Sequence, residues 1–127
     1  MAKVIEEYIT VTEGYINVRT VEKVCSKYNY NQMKIVVGEF STDYGQYSAK
    51  EFLYLEASSA KLQDASFASP AVYLNLKNVE CIGDTIIKAE TIYFPKDSNF
   101  NFENCNLIGE VKYIDFNNFN IDDFIDS

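Results

Sequence analysis

The chain has 127 residues, of which 47% are hydrophobic, and this is enough for a single domain spanning residues 1–127. Its 19 acidic and 11 basic residues give a formal net charge of −8, which disfavours direct nucleic-acid binding because that requires an excess of Lys and Arg. The sequence has no histidine, which excludes the usual catalytic triads and the usual zinc sites.

The N-terminal part of the sequence predicts a β-hairpin followed by one short helix. Apolar and polar residues alternate on both sides of Glu13 and Gly14, which is typical of two strands joined by a turn over residues 8–18. In residues 20–28 the apolar positions change to i, i+3, i+4 and i+7, which predicts a helix of about two turns.

The next segment predicts a buried strand and then a polar connection. Residues 33–40 are mostly apolar, as in a strand that is covered on both faces. Residues 41–49 are polar and rich in Tyr, with Tyr44 and Tyr47 on either side of a glycine. We expect a loop whose tyrosines either contact a partner or fold back over the core.

A five-residue spacing of apolar side chains begins after residue 50. The segments AKLQD-ASFAS (60–69) and SNFNF-ENCNL (98–107) resemble units of the pentapeptide-repeat proteins, in which a small residue and a polar one precede Leu or Phe. The resemblance implies a right-handed β-helix, and some members of those families resemble acidic double-stranded DNA. The segment LNLKNVECIGD (74–84) interrupts the five-residue register.

A longer echo relates residues 74–84 to residues 100–110, which lie 26 positions further along the chain. Each copy has alternating apolar residues, then Asn, then a second short strand that ends in Ile-Gly. Internal repeats of this length indicate stacked units, so we expect Gly83 and Gly109 to lie over each other. The predicted fold class is mainly β, with stacked strands that form either a small β-solenoid or an antiparallel sheet or sandwich.

The three cysteines, Cys25, Cys81 and Cys105, include no Cys-x-x-Cys pair and do not indicate a disulfide framework. We expect Cys81 and Cys105 to be free thiols at buried hydrophobic positions. The first residues contain no apolar signal segment, and no stretch is apolar enough for a membrane span. These features predict a cytoplasmic protein with no membrane partner.

The excess negative charge is concentrated near the carboxyl end. Residues 97–127 contain one basic and seven acidic residues, a net charge of −6. Such asymmetry indicates either an interaction surface or a segment that only aids solubility. The residues predicted to bind a partner are Glu103, Glu110, Asp115, Asp122, Asp123 and Asp126, together with Tyr44 and Tyr47.

No group of residues predicts catalysis. The acids and amides of DSNFNFE (97–103) alternate, but the segment that they begin lacks the Gly and the Glu of an EF-hand. Asp122 and Asp123 are neighbours that would face apart on a strand, and Cys25 lies on the apolar stripe of the predicted helix. We therefore predict no catalytic, cofactor-binding or metal-ligating residue.

The predicted function is that of a non-enzymatic binding protein, an inhibitor that blocks a basic surface of a nucleic-acid-handling or toxic protein. The alternative is a structural protein that assembles or docks through a β edge. The frequent use of Asn, Tyr, Ile and Lys is typical of an AT-rich genome, such as that of a bacterium or its virus.

Overall fold

The chain is built almost entirely from β-strands. The computed structural model describes residues 3–4, 8–11, 15–17, 27–43, 45–96 and 105–124. The strands are β1 (Lys3–Val4), β2 (Tyr8–Val11), β3 (Tyr15–Asn17), β4 (Lys27–Val36), β5 (Glu39–Asp43), β6 (Gln46–Gln63), β7 (Ser66–Ala68), β8 (Ala71–Ile82), β9 (Thr85–Pro95) and β10 (Cys105–Ile114). Two short 3-10 helices follow, η1 (Phe116–Asn118) and η2 (Ile121–Phe124).

Successive turns of the chain stack as in a β-solenoid of about four turns. From β4 onward the strands pair in parallel, and partners in neighbouring turns are 19 or 20 residues apart, as for Leu53 with Val72 and Gln46 with Ser66. Each turn buries side chains that it could not bury alone. The antiparallel sandwich that the sequence also allowed is therefore wrong.

The parallel pairings fall into three groups, which define three faces of the solenoid. The first face contains the beginnings of β4, β6, β9 and β10, together with β7. The second face contains β2, the end of β4, the middle of β6, the start of β8 and the ends of β9 and β10. The third face contains β3, β5 and the ends of β6 and β8.

The main core lies inside these faces because alternate residues of each strand point inward. In β6 the inward side chains include Tyr47, Leu53, Leu55 and Leu62, and all four are buried. Parallel pairing places each of them beside an equivalent side chain of the next turn, so that Leu55 lies next to the buried Leu74. Burying one such leucine contributes about 2 kcal/mol.

The corner between the third and first faces requires unusual backbone angles. Asp64 has a φ of 46°, and Gly83, one turn later, has a φ of 68°, in the left-handed region that favours glycine. The Asp64 carboxylate accepts a hydrogen bond from the N–H of Asp84 at 2.9 Å, and a Cβ atom at residue 83 would clash with that carboxylate. The prediction that Gly83 makes a corner is therefore confirmed.

Cys81 and Cys105 form a disulfide, so the prediction of two free thiols was wrong. Their Cα atoms are 5.3 Å apart, although the residues are separated by 24 positions in sequence. Cys81 lies at the end of β8, and Cys105 pairs with Thr85, which directly follows the next corner. The stacking of turns brings the two thiols together, and their spacing in sequence alone does not predict this.

The 26-residue echo does not set the stacking, and the expectation that Gly109 lies over Gly83 was wrong. Strand β10 pairs with β9 at a separation of 19 or 20 residues. Gly109 lies at the corner between the first and second faces, at the register shift between Ile108 and Glu110. The echo covers one turn plus one face, so its two copies place a strand and a glycine at successive corners.

The predicted N-terminal hairpin and helix are not confirmed. Strand β2 pairs with β1 and β4, whereas β3 pairs with β5, so the pairings of the described residues do not join β2 to β3 in a hairpin over residues 8–18. The helix predicted over residues 20–28 lies outside the described residues, except that its last two residues begin strand β4.

The predictions for residues 33–49 need one correction. The expected strand over 33–40 is confirmed as extended, but a corner at Gly38 separates the end of β4 from the start of β5. The expected loop over 41–49 is wrong, because most of this segment belongs to β5 and β6. Polar residues on the outer side of a solenoid strand resemble a loop in sequence, since only the inward positions must be apolar.

Candidate functional site

A layer of aromatic side chains covers the outer side of the second face. Phe52 and Tyr54 of β6, Tyr73 of β8 and Tyr93 of β9 alternate with inward-pointing residues and therefore point outward. Parallel stacking aligns them, so the rings of Tyr73 and Tyr93 stack with centroids 4.4 Å apart at an interplanar angle of 11°. This arrangement needs a cover, because so much apolar surface is unfavourable in water.

The cover is the C-terminal segment of residues 115–124, here called the strap. Phe119 stacks on Tyr73 with ring centroids 4.9 Å apart, and Phe116 meets Tyr54 edge-on at 6.1 Å. Ile121 is buried against the same layer. The second face is thus buried on both sides, which explains why its strands are apolar at inward and outward positions alike.

Polar contacts fix both ends of the strap. At its start, the Asp115 carboxylate accepts hydrogen bonds from the Asn117 N–H at 3.0 Å and from Asn118 Nδ2 at 2.7 Å. At its end, Asp122 forms an ion pair with Lys34 of β4. The strap therefore runs from the last turn back to an early turn of the solenoid.

Tyr54 has polar partners beneath the strap. Its hydroxyl donates a hydrogen bond to Glu56 Oε1 at 2.6 Å and accepts one from Asn75 Nδ2 at 3.1 Å. Burial, and then the hydrogen bond to Glu56, raise the pKa of Tyr54 well above its usual value. Burial also raises the pKa of Tyr73, with Tyr93 contributing. Both phenols are therefore protonated at neutral pH, and they serve as donors in packing rather than as bases.

An exposed acidic patch lies at the end of the strap, and we define it as Glu51, Asp122, Asp123 and the ring of Phe124. The Gln32 side-chain amide joins its parts, since Nε2 donates to Glu51 Oε1 at 3.1 Å and to the Phe124 carbonyl at 3.2 Å. The three acids are exposed, and the Phe124 side chain is 54% exposed. The patch combines negative charge with one accessible aromatic ring.

The structure distributes the predicted partner-binding acids between the two ends of the strap. Asp122 and Asp123 belong to the acidic patch, whereas Asp115 caps η1 at the other end. Glu110 is exposed on β10 and lies 3.8 Å from Lys112. Glu103 and Asp126, which were also predicted, lie outside the described residues, as does Tyr44.

Tyr47 is not available to a partner, so its prediction as a binding residue is corrected. Its side chain is 2% exposed inside the main core, where it stacks on Phe67 with ring centroids 4.8 Å apart. The Tyr47 hydroxyl donates a hydrogen bond to Thr42 Oγ1 at 2.7 Å. The inward period of β6 places this residue in the core, and the burial of its polar end is satisfied by Thr42.

Sequence reasoning missed Glu51 and Phe124 as parts of one surface. Glu51 lies in β6, more than 70 positions before the strap, and no local pattern marks it. Phe124 follows the apolar spacing of the C-terminal segment, which predicts packing and not exposure. Their proximity depends on the path of the strap across several turns, which only the tertiary structure shows.

The described part of the chain has open depressions and few sites of concentrated chemistry. The largest of these depressions, about 640 Å³, is lined by polar residues that include Lys77, Lys96 and Asp115. Within the described ranges, no three His, Cys, Asp or Glu side chains are placed to hold a metal ion. No helix among the described residues has the length and apolar character needed to cross a membrane.

Comparisons with protein-family models, curated proteins and solved structures find no match to this chain. Its function can therefore be inferred only from the geometry and chemistry of its own surface.

Proposed function

We propose that this chain is a non-enzymatic acidic binding protein that blocks a basic surface of another protein, such as a nucleic-acid-handling or toxic protein. The acidic patch is the contact surface. The observation that supports this function is the placement of Asp123 and Glu51 around the exposed ring of Phe124, on a strap held at both ends.

The physical reason is that the patch offers both steering and a contact residue. Exposed carboxylates attract a basic partner over a distance of about one Debye length, which speeds association at low salt. An aromatic ring at the centre of an interface commonly contributes a large share of the binding energy. Because the strap is fixed before binding, little conformational entropy is lost on association.

The test compares two variants with the same net charge. Glu51→Gln/Asp123→Asn removes two charges from the patch, and Glu39→Gln/Glu80→Gln removes two exposed charges from the third face as a matched control. The full-length tagged chain is first used to capture a partner, which mass spectrometry identifies, and association rates are then measured at low and high salt.

We expect the patch variant to associate about threefold to tenfold more slowly than the wild type at low salt, with a smaller salt dependence. The control variant should behave like the wild type. Equal association rates and salt slopes for the two variants would show that the patch is not the contact surface.

A second candidate function is assembly or docking through a strand edge. The observation that favours it is the position of β10, which pairs only with β9 among the described strands and forms one end of the strand order. A strand edge of this kind presents unpaired backbone groups to another chain.

The proposed site of action is the cytoplasm, and this has a chemical consequence for the disulfide. Disulfides are rare in reducing compartments, so a cytoplasmic chain should have Cys81 and Cys105 in reduced form. Trapping thiols with an alkylating agent in intact cells tests this, because a fully oxidised pair would indicate an oxidising compartment.

A further inference from the structure

Strand β10 has one edge that no other described strand covers. The Ile114 carbonyl accepts a hydrogen bond from the Lys96 N–H at 2.9 Å, so Ile114 directs its backbone groups toward β9. Neighbouring residues of a strand direct their N–H and C=O groups to opposite sides. Val111 and Tyr113 therefore direct their backbone groups away from β9, toward the open end of the solenoid.

The same strand carries two of the large apolar side chains that are most exposed. Ile108 is 44% exposed and Tyr113 is 57% exposed. The Tyr113 ring also lies 6.1 Å from the buried ring of Phe94, at the end of the main core. An edge strand with exposed apolar residues and no proline lacks the usual protection against pairing with another chain.

We propose that two copies of this chain pair through β10, with the two strands antiparallel about a two-fold axis at Val111. This inference is independent of the acidic-patch proposal, and it narrows the edge-docking candidate by naming a second copy as the partner. In this register Val111 faces its own equivalent. Residues 109 to 113 of each copy then form the centre of an isologous interface.

Charge complementarity selects this register. With the axis at Val111, Glu110 of each copy lies opposite Lys112 of the other, which gives two attractive pairs. Moving the axis to residue 110 or 112 places Glu110 or Lys112 opposite its own equivalent. Moving it by half a residue would oppose free backbone groups to groups already bonded to β9. Among these neighbouring registers, only the axis at Val111 satisfies both the charges and the backbone.

The remaining pairs in this register are also favourable. Tyr113 lies opposite Gly109 of the second copy, so the ring can pack over bare backbone, an arrangement known to stabilise glycine in strands. Ile108 lies opposite Ile114, which buries the exposed Ile108 side chain. Glu110 and Lys112 occupy positions where directly opposite side chains are closest, because they are the pairs without backbone hydrogen bonds.

The test uses charge reversal of the full-length chain, measured by sedimentation equilibrium. The wild type should form a dimer as its concentration rises between about 1 µM and about 500 µM. Glu110→Lys and Lys112→Glu each place like charges opposite each other and should weaken the dimer about 30-fold. Both side chains are more than half exposed, so the variants should fold normally. Glu80→Lys on the third face serves as the control and should dimerise like the wild type.

Mixing the two single variants gives the decisive result. An equimolar mixture of Glu110→Lys and Lys112→Glu restores attraction at both pairs and should form heterodimers, and the double variant Glu110→Lys/Lys112→Glu should form homodimers again. A monomeric wild type throughout the range overturns the proposal. A dimer that both single variants retain unchanged also overturns it, as does a mixture that stays monomeric. Edge docking to a different protein would survive only if a monomeric wild type captured a partner that Glu110→Lys does not.

Discussion

Breaking the Cys81–Cys105 disulfide should lower the stability of the solenoid substantially. The two cysteines are separated by 24 positions, so the bond closes a loop of 25 residues. The chain-entropy relation gives about 3.5 kcal/mol at 25 °C for a loop of this length. For a chain of 127 residues, a loss of this size lowers the Tm by about 13 °C.

Urea unfolding followed by circular dichroism measures this effect on the oxidised wild type, the reduced wild type and Cys105→Ser. Cys105 is the better position for Ser, because Cys81 is 4% exposed and a hydroxyl there would add a burial cost. Reductant should have no further effect on Cys105→Ser. In the oxidised wild type, denatured without reductant, alkylation should label Cys25 alone. Oxidised and reduced wild type that agree within about 0.5 kcal/mol would refute the reasoning.

Two further predictions concern the strap and the corner. Phe119→Ala removes the ring stacked over Tyr73 and near Tyr54, and should cost about 2 kcal/mol because Phe119 is only half-buried. The raised pKa of Tyr54 means that its contribution to stability is complete below its unfolded value near pH 10 and is lost as the pH rises through the folded value. Phe119→Ala should therefore shift both tyrosinate absorbance and alkaline unfolding to lower pH, and an unchanged absorbance titration would contradict this role of the strap. Gly83→Ala should cost more than about 1 kcal/mol in urea unfolding, because of its positive φ and the clash with Asp64, whereas a cost under about 0.3 kcal/mol would contradict the corner geometry.

The sequence predicts stacked strands correctly but not the spacing of the turns. The echo between residues 74–84 and 100–110 reflects a local requirement, a short strand that ends at a glycine corner, and a solenoid meets that requirement at several corners of each turn. Backbone pairing instead follows the length of one turn, which is 19 or 20 residues in β8 to β10. Similarity of local sequence therefore identifies the unit without identifying which copies are neighbours.

The second face was difficult to predict because both of its sides are buried. Leu53 and Leu55 point into the core, while Phe52 and Tyr54 point toward the strap, so this part of β6 shows no polar side. The apolar spacing of the C-terminal segment did predict that it packs, and the burial of Ile121 confirms this. Where it packs depends on contacts with residues far away in sequence, such as Lys34, and no local pattern contains that information.

The same long-range contacts change the meaning of the C-terminal charge. Two of the acids predicted to bind a partner have structural roles, since Asp115 caps η1 and Asp122 pairs with Lys34. The negative charge that remains for a partner is therefore smaller than the sequence count indicates, and it depends on Glu51 from a distant strand. An ion pair at an exposed carboxylate is worth at most about 1 kcal/mol, so Asp122 still contributes to the field of the patch while holding the strap in place. Because Glu110 lies on β10 and outside the patch, neutralising the patch should leave self-pairing intact, and reversing Glu110 should leave the patch intact. The two surfaces are therefore separable in this chain, and each proposal can fail without the other.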